Sequence, residues 1–337
     1  MRTIVVKGDA YSMGVALGVC FKDCLQRTIG QYGEALKKED IYRRVKELEE
    51  KLCVSFKEGL QEIYGRADGA GIDRDAMLLL FFPEVFKKAE GCTTIMLRKH
   101  NGSLLFCHNE DDKEFSVDNT AFVTYDYGDF KVAGYTNAEK LLGSSFALNN
   151  AGMLFSTNYI YSPLTKLENI SRYVLSRKLM NTRSIEETMK VIREMEVASP
   201  FSLNVYDKKC DKAFNIEKDH KDIYVTEVTD RYGRANHFTA KKIDINEIPK
   251  SSAFRDAYVH EEIAKLDAEN VTLADLKKIL DYREEDYYRC VYKDPRLFEK
   301  VSVTVANLAY DAERDELILT DYLGNEVVQG KFDSFFL

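Results

Sequence analysis

The sequence predicts an α+β fold in which two antiparallel sheets carry helices on their outer faces. Three observations predict it. The first 90 residues follow helical spacing; from Cys92 onward the period changes to that of strands separated by turn signals; and one pair of helical stretches interrupts the strands midway. A chain of 337 residues that is 45% apolar and 31% charged is long enough to bury the core such layers need.

In "YSMGVALGVCFKDCLQRTIG", Cys20 and Cys24 stand four apart among apolar residues, which predicts two core thiols on one helix face. In the stretch that follows, Val45, Leu48, Leu52, Phe56, Leu60 and Ile63 recur at spacings of three and four. They predict a single apolar stripe along about five turns, closed by Gly65 as a C-cap. A further helix is expected to start near Asp73, with its acidic first turn favoured by the helix dipole.

Strand character begins in "KKAEGCTTIMLRK", residues 87 to 99. Asn101-Gly102 is the strongest short hairpin signal in the chain. Further hairpins are expected in "TAFVTYDYGDFKVAGYT" and in "SFALNNAGMLFSTNYIY", the latter turning at Asn149 to Gly152. Two helices follow, the second opened by Ser184 with Glu187 three residues on as a capping box. Strands resume in "FSLNVYDKKCDKAFNIEKDHKDIYVTEV"; residues 252–266 and 272–283 read as helices, and a hairpin of long strands ends the chain. The tyrosine-rich "DYREEDYYRCVY" reads as an exposed helix end.

A formal charge of -8, with basic residues interleaved among acidic ones, gives no electrostatic reason to bind nucleic acid. No apolar run suits a secretory signal or a membrane span, so a cytoplasmic protein without a membrane partner is expected. The seven cysteines, at 20, 24, 53, 92, 107, 210 and 290, show neither CxxC pairs nor Cys/His clusters at metal spacing. Neither a disulfide framework nor a metal site is expected, and most thiols should be reduced and buried.

Cys92 follows Gly91 where helix gives way to strand. If the Gly91-Cys92 bond were cut, Cys92 would carry a thiol and an α-amine on one residue. An α-amine titrates near 8, so a useful fraction is uncharged at neutral pH and takes the thiol proton without a histidine. Gly91 leaves its carbonyl open to attack, and intramolecular attack by the Cys92 sulfur would cut the bond through a thioester that water hydrolyses. The neighbouring Cys107 and His108 suggest a conventional Cys/His pair instead, although alternation lets at most one of them face a site.

"EGCTT" (90–94), "HNEDD" (108–112), "LNNAGMLFSTN" (148–158) and "RANHF" (234–238) appear in the order and approximate spacing of the acyl-CoA:isopenicillin N acyltransferase-like family. That family comprises N-terminal-nucleophile (Ntn) hydrolases related to choloylglycine hydrolase and penicillin V acylase. "GDAYSMGVALG" resembles the family's opening motif and "SAFRDAYVHEEI" its S-x-x-R helix. The resemblance implies a four-layer αββα sandwich, made as a precursor that cleaves itself between Gly91 and Cys92. The domains would be a helical pro-segment, 1–91, and a catalytic unit, 92–337.

Carried over, Cys92 would be nucleophile and, through its amine, general base; Asp111, in the motif with Asn109, would orient that amine. Asn236 would donate to the oxyanion and Asn158 would close the site, with Ser252 and Arg255 in support. The chain departs from the family in having Glu110 where tryptophan is frequent, and a first hairpin about one residue longer, which leaves Asp112 as the alternative to Asp111. His108 and His237 receive no role.

The implied activity is that of an amidohydrolase or acyltransferase acting on small amide or acyl substrates through a Cys92 acyl-enzyme, without cofactor or metal. The 1–91 segment would stay bound as a partner after cleavage, because release would bare its apolar stripe. A homo-oligomer is left open. Two rival readings are a non-processing binding or scaffold protein that keeps the fold, and a conventional Cys/His hydrolase acting as an intact chain.

Overall fold

The computed structural model describes residues 1–86, 91–113, 119–163, 165–241, 244, 247–298 and 302–337. Residues 87–90, the charged start of the junction string and the Glu90 of its motif, lie outside the described residues.

A strand, β1 (Arg2–Lys7), opens the chain and is followed by α1 (Ala10–Cys20), α2 (Lys22–Tyr32), α3 (Glu39–Ser55), α4 (Lys57–Ala70) and α5 (Arg74–Leu80). The 1–91 stretch is therefore not wholly helical: β1 pairs in parallel with a strand 120 residues on, a partner invisible to local spacing. The apolar stripe from Val45 to Ile63 is buried as expected but belongs to two helices, broken where Phe56 leaves helical geometry at φ -156 and ψ 63. A one-residue break keeps the stripe in phase, so periodicity alone reads through it. Cys20 ends α1 and is exposed while Cys24 lies buried in α2, so the two thiols do not share one face.

Gly65 does not cap a helix. The C-cap is Gly71, left-handed at φ 66, and Gly65 instead lies within α4 where that helix presses on α1. A β-carbon at Gly65 would stand 2.1 Å from the Tyr11 carbonyl oxygen, and one at Gly14 would stand 2.2 Å from that of Glu62. α5 begins as expected, with the Asp73 carboxylate accepting from the amides of Asp75 and Ala76.

The strands β2 (Gly91–Arg98) and β3 (Leu104–Lys113) form the Asn101-Gly102 hairpin, with Gly102 at φ 87. β4 (Thr120–Asp126), β5 (Lys131–Asn137), β6 (Phe146–Asn149) and β7 (Met153–Tyr159) give the next two hairpins. The helical pair is α6 (Arg172–Leu179) and α7 (Ile185–Glu194). Ser184 Oγ caps α7 by accepting from Glu187 N, whereas the Glu187 carboxylate accepts from Arg183 N, one residue earlier than a full capping box requires.

β8 (Phe201–Asp207), β9 (Lys212–Lys218), β10 (Ile223–Glu227) and β11 (Arg231–Arg234) precede α8 (Lys250–Ala264) and α9 (Leu273–Leu280), and β12 (Ser302–Asp311), β13 (Glu316–Asp321) and β14 (Glu326–Lys331) close the chain.

The strands form an eight-stranded sheet in the order β1-β4-β5-β6-β7-β8-β9-β10 and a six-stranded sheet in the order β11-β2-β3-β12-β13-β14. Between these strands, among the described residues, all pairings are antiparallel except β1 with β4. Three apolar interfaces stack the layers. Leu17, Ile63 and Leu175 of the N-terminal and central helices cover Val123, Phe155 and Leu203 of the larger sheet. Phe122, Tyr135 and Leu154 on that sheet's other face meet Met96, Phe106 and Leu308 of the smaller one. Ile95, Leu105 and Cys107, on the smaller sheet's outer face, lie under Val259, Ile263 and Leu276 of α8 and α9. The chain is thus a four-layer αββα sandwich. Among the described residues no helix is long and apolar enough to cross a membrane.

Candidate active site

The β2–β3 hairpin sets the site. Positions 92 and 110 are equally distant from Asn101, so the ladder places Cys92 opposite Glu110 and Gly91 opposite Asp111. Alternation then separates their side chains. Cys92, Thr94, His108 and Glu110 face the larger sheet, whereas Cys107, Asn109 and Asp111 face the α8–α9 layer.

On the inner face, the Cys92 thiol donates to Glu110 Oε2 at 3.2 Å. Lys140, from the loop after β5, donates to Glu110 Oε1 at 2.8 Å and lies 3.3 Å from Asp112 Oδ2. His108 Nε2 stands 3.4 Å from Glu110 Oε2, and its Nδ1 lies 2.8 Å from Thr94 Oγ1. Burial, and next the Glu110 charge, push the Cys92 thiol well above its usual value. Burial also works to raise the Glu110 carboxyl, but Lys140 and His108 outweigh it and hold it below the usual value.

On the other side of the backbone, Cys92 N donates to Asn236 Oδ1 at 3.0 Å. Arg255 of α8 donates to the Cys92 carbonyl at 2.6 Å, to Thr93 Oγ1 at 2.9 Å and to Asn236 Oδ1 at 2.6 Å. Ser252 Oγ accepts from Asn236 N at 2.7 Å and lies 2.8 Å from His237 Nδ1, so it fixes the loop carrying both. Asp111 Oδ2 pairs with Lys293 Nζ at 3.1 Å, and its Oδ1 accepts from Thr304 Oγ1 at 2.7 Å. Burial draws the Lys293 ammonium below its usual value against the pull of Asp111.

The structure thus brings Cys92, Asp111, Asn236, Ser252 and Arg255 to the Gly91-Cys92 peptide unit. Asp111, not Asp112, stands beside Gly91; Asp112 points between the sheets, where Asn137 donates to it. Asn236 turns its oxygen toward Cys92, and its Nδ2 donates to the Tyr159 carbonyl at 2.8 Å. Asn158 sits one step deeper: its Oδ1 accepts from Thr94 Oγ1 at 2.8 Å and Asn204 Nδ2 at 2.9 Å, and its buried Nδ2 makes no hydrogen bond among the described residues. Asn109 is elsewhere, donating to the Leu280 carbonyl at 2.8 Å and so tying β3 to α9.

Lys140 and Lys293 were not legible in the sequence, since an isolated lysine carries no motif. A cavity of about 300 Å3 opens on Gly91, walled by Tyr159, Tyr161, Asn236, Arg255, Tyr287 and Lys293. The tyrosine-rich segment runs, largely exposed, from the C-terminal end of α9, as expected, and also supplies part of this wall: it forms a short 3-10 turn at Tyr287–Arg289, and Tyr282 stacks on Tyr258 at 4.2 Å. A larger cleft of about 440 Å3, beside α9 and the β13–β14 turn, is lined by Asn109, Lys277 and Asp321 without a nucleophile. The Cys92, His108 and Glu110 donor atoms lie within 4.8 Å of one another, a possible set of metal ligands, but the Lys140 ammonium already supplies the positive charge on that carboxylate.

Residues 97–324, more than half of the chain, match the acyl-coenzyme A:6-aminopenicillanic acid acyl-transferase family. The chain belongs to that family. The acyl-transferase match includes Asp111, Asn158, Asn236 and Arg255 and begins just after Cys92. The chain is also 25% identical to the beta-alanyl-dopamine/carcinine hydrolase of Drosophila melanogaster, over 43% of each chain, so it matches less than half of that protein's length. Similar solved structures include a Caenorhabditis elegans N-acylethanolamine-hydrolyzing acid amidase ortholog (14% identity, TM-score 0.47, 66% of this chain and 93% of that one). Another is a variant of conjugated bile acid hydrolase from Clostridium perfringens (13% identity, TM-score 0.48, 72% of this chain and 93% of that one).

Proposed function

We propose that this acyl-transferase family member is a self-processing cysteine amidohydrolase or acyltransferase. The Gly91-Cys92 bond is cut to give a 1–91 chain and a 92–337 chain that remain associated. The observation that carries this reading is that the nitrogen of that one bond donates to Asn236 Oδ1, itself held by Arg255, while Asp111 packs against Gly91. The nitrogen that cleavage would free is the atom that Asn236 Oδ1 holds.

After the cut, the Cys92 nitrogen is an amine with Asn236 Oδ1 at hand, and Asp111 Oδ2 faces the space that Gly91 vacates. The amine takes the thiol proton as the sulfur attacks a substrate carbonyl, Asn236 Nδ2 donates to the oxyanion, and the amine returns its proton to the leaving nitrogen. Water or an acceptor amine then releases the acyl group. The cavity suits a small amide with an apolar or aromatic portion, because its wall is rich in tyrosine. In the intact chain the thiol is 2% exposed, so the uncut form offers substrate no nucleophile. His108 reaches the sulfur through Glu110, which disfavours a direct Cys/His pair.

Intact mass and N-terminal sequencing under denaturing conditions test the reading, with Cys92→Ala as control. Fragments of about 10 and about 28 kDa are expected from the 38.7 kDa chain. The larger should begin at Cys92, and the control should stay whole. A whole wild-type chain that hydrolyses amides would place the chemistry in a conventional thiol hydrolase instead.

A further inference from the structure

We propose that Glu110 is the general base of the self-cleavage step and hands that role to the Cys92 α-amine once the bond is cut. The inference rests on the self-processing reading above and addresses a gap within it. Before cleavage the Cys92 nitrogen is an amide and cannot accept a proton, so the base of the mature enzyme does not yet exist. The thiol is buried and needs a proton acceptor in contact with it, and Glu110 Oε2 at 3.2 Å is that contact.

The carboxylate is built into place. It sits opposite Cys92 in the hairpin ladder, Lys140 holds its other oxygen at 2.8 Å, and His108 flanks it at 3.4 Å, itself set by Thr94. Lys140 and His108 keep the carboxyl ionised in a site where burial would otherwise protonate it.

The step balances as follows. Glu110 takes the Sγ proton, and the sulfur bonds to the Gly91 carbonyl carbon, whose π pair moves to oxygen. The carbonyl re-forms as the C–N bond breaks, and the Cys92 nitrogen leaves with the proton that Glu110 returns. Water then hydrolyses the thioester, giving the Gly91 carboxyl group and the Cys92 thiol beside its new amine. Glu110 thus serves one event, and the amine serves every later turnover.

The ionisable groups facing Glu110 are Cys92 on β2, His108 and Asp112 on β3, Tyr135 on β5 and Lys140 in the following loop. The test follows cleavage of freshly synthesised full-length chains by intact mass between pH 5 and 9. Glu110→Gln is expected to slow cleavage on the order of 100-fold at pH 7. The rate of that variant should climb with pH as hydroxide ionises the thiol, and Glu110→Asp should recover part of the loss. Glu110→Gln that folds, by circular dichroism and melting, and cuts at the wild-type rate overturns the proposal.

Lys140→Met covers the case in which that variant does not fold. It leaves the carboxylate in contact with the thiol but removes the charge that keeps it ionised, so the acid limb of the cleavage profile should move to higher pH. An unmoved limb also overturns the proposal. A wild-type chain that never cuts, while Cys92→Ala behaves identically, instead removes the self-processing reading and this inference with it.

Discussion

Gly91 faces Asp111 across the β2–β3 ladder so closely that a β-carbon at position 91 would stand 2.8 Å from Asp111 Oδ2 and 2.8 Å from Lys293 Nζ. The glycine is thus a spacing device: it lets a buried ion pair close against the bond that the proposed reaction cuts.

Replacing Gly91 forces that buried pair apart. Gly91→Ala is expected to slow self-cleavage at least about tenfold, and Gly91→Val to slow it further, since misplacement of reacting groups by an ångström is costly. Intact mass against time reads both. Equal rates for glycine and valine would show that the Asp111–Lys293 pair is not coupled to the scissile bond.

Arg255 binds four acceptors at once, the Cys92 carbonyl, Thr93 Oγ1, Asn236 Oδ1 and Ser251 Oγ. Arg255→Ala leaves buried acceptors unpaired and is expected to cost about 3 kcal/mol of stability. Urea denaturation in a Cys92→Ala background measures this without interference from cleavage. Arg255→Lys should restore only part of the loss, because a point charge on a flexible stem cannot reproduce the planar fork.

Glu62 on α4 joins the 1–91 segment to the rest of the chain through Arg177 of α6 and Tyr125 of β4. Burial works to raise its carboxyl, yet Arg177 and Arg66 outweigh burial and hold it below the ordinary 4.5. A depressed carboxyl contributes stability that is fully present above the unfolded value and is lost as pH falls through the folded one. Denaturation midpoints should therefore drop below pH 4.5, and a cut protein should release its 1–91 chain there on size-exclusion chromatography. Glu62→Gln should lose stability at pH 7 and flatten this part of the pH dependence.

The α1–α4 contact is backbone on backbone, so its glycines cannot be enlarged. Gly65→Ala is expected to destabilise by about 1–3 kcal/mol, because the new methyl would meet the Tyr11 carbonyl at 2.1 Å. Gly30 in α2 has nothing within 4 Å of an added β-carbon, and Gly30→Ala should stabilise by about 0.5–1 kcal/mol. Thermal melts of the two single variants separate crowding from helix propensity.

Much of the site was legible because its parts belong to local patterns. The hairpin at Asn101-Gly102 follows from its turn residues, and strand alternation separates Cys107 from His108. Cys92, Asp111, Asn236, Ser252 and Arg255 came from ordered motifs and do converge. Lys140 and Lys293 were not legible, since a lysine becomes a buried counter-ion only when a distant loop folds over a carboxylate. The place of Tyr287 in the cavity wall was not legible for the same reason: amphipathic rings at a charged helix end and rings walling a cavity have the same local composition.

By itself the sequence determined the kinds of most elements, the main turns between strands and the opposite faces of Cys107 and His108, because these follow from periods of two and 3.6 and from turn chemistry within a few residues. Tertiary structure alone decided that β1 joins the larger sheet, that the stripe from Val45 to Ile63 bends at Phe56, and that Glu110, held by Lys140, rather than Asp111 touches the thiol. Those outcomes depend on pairings and burials between residues far apart in the chain, and no local period encodes which distant surface will close over a given side chain.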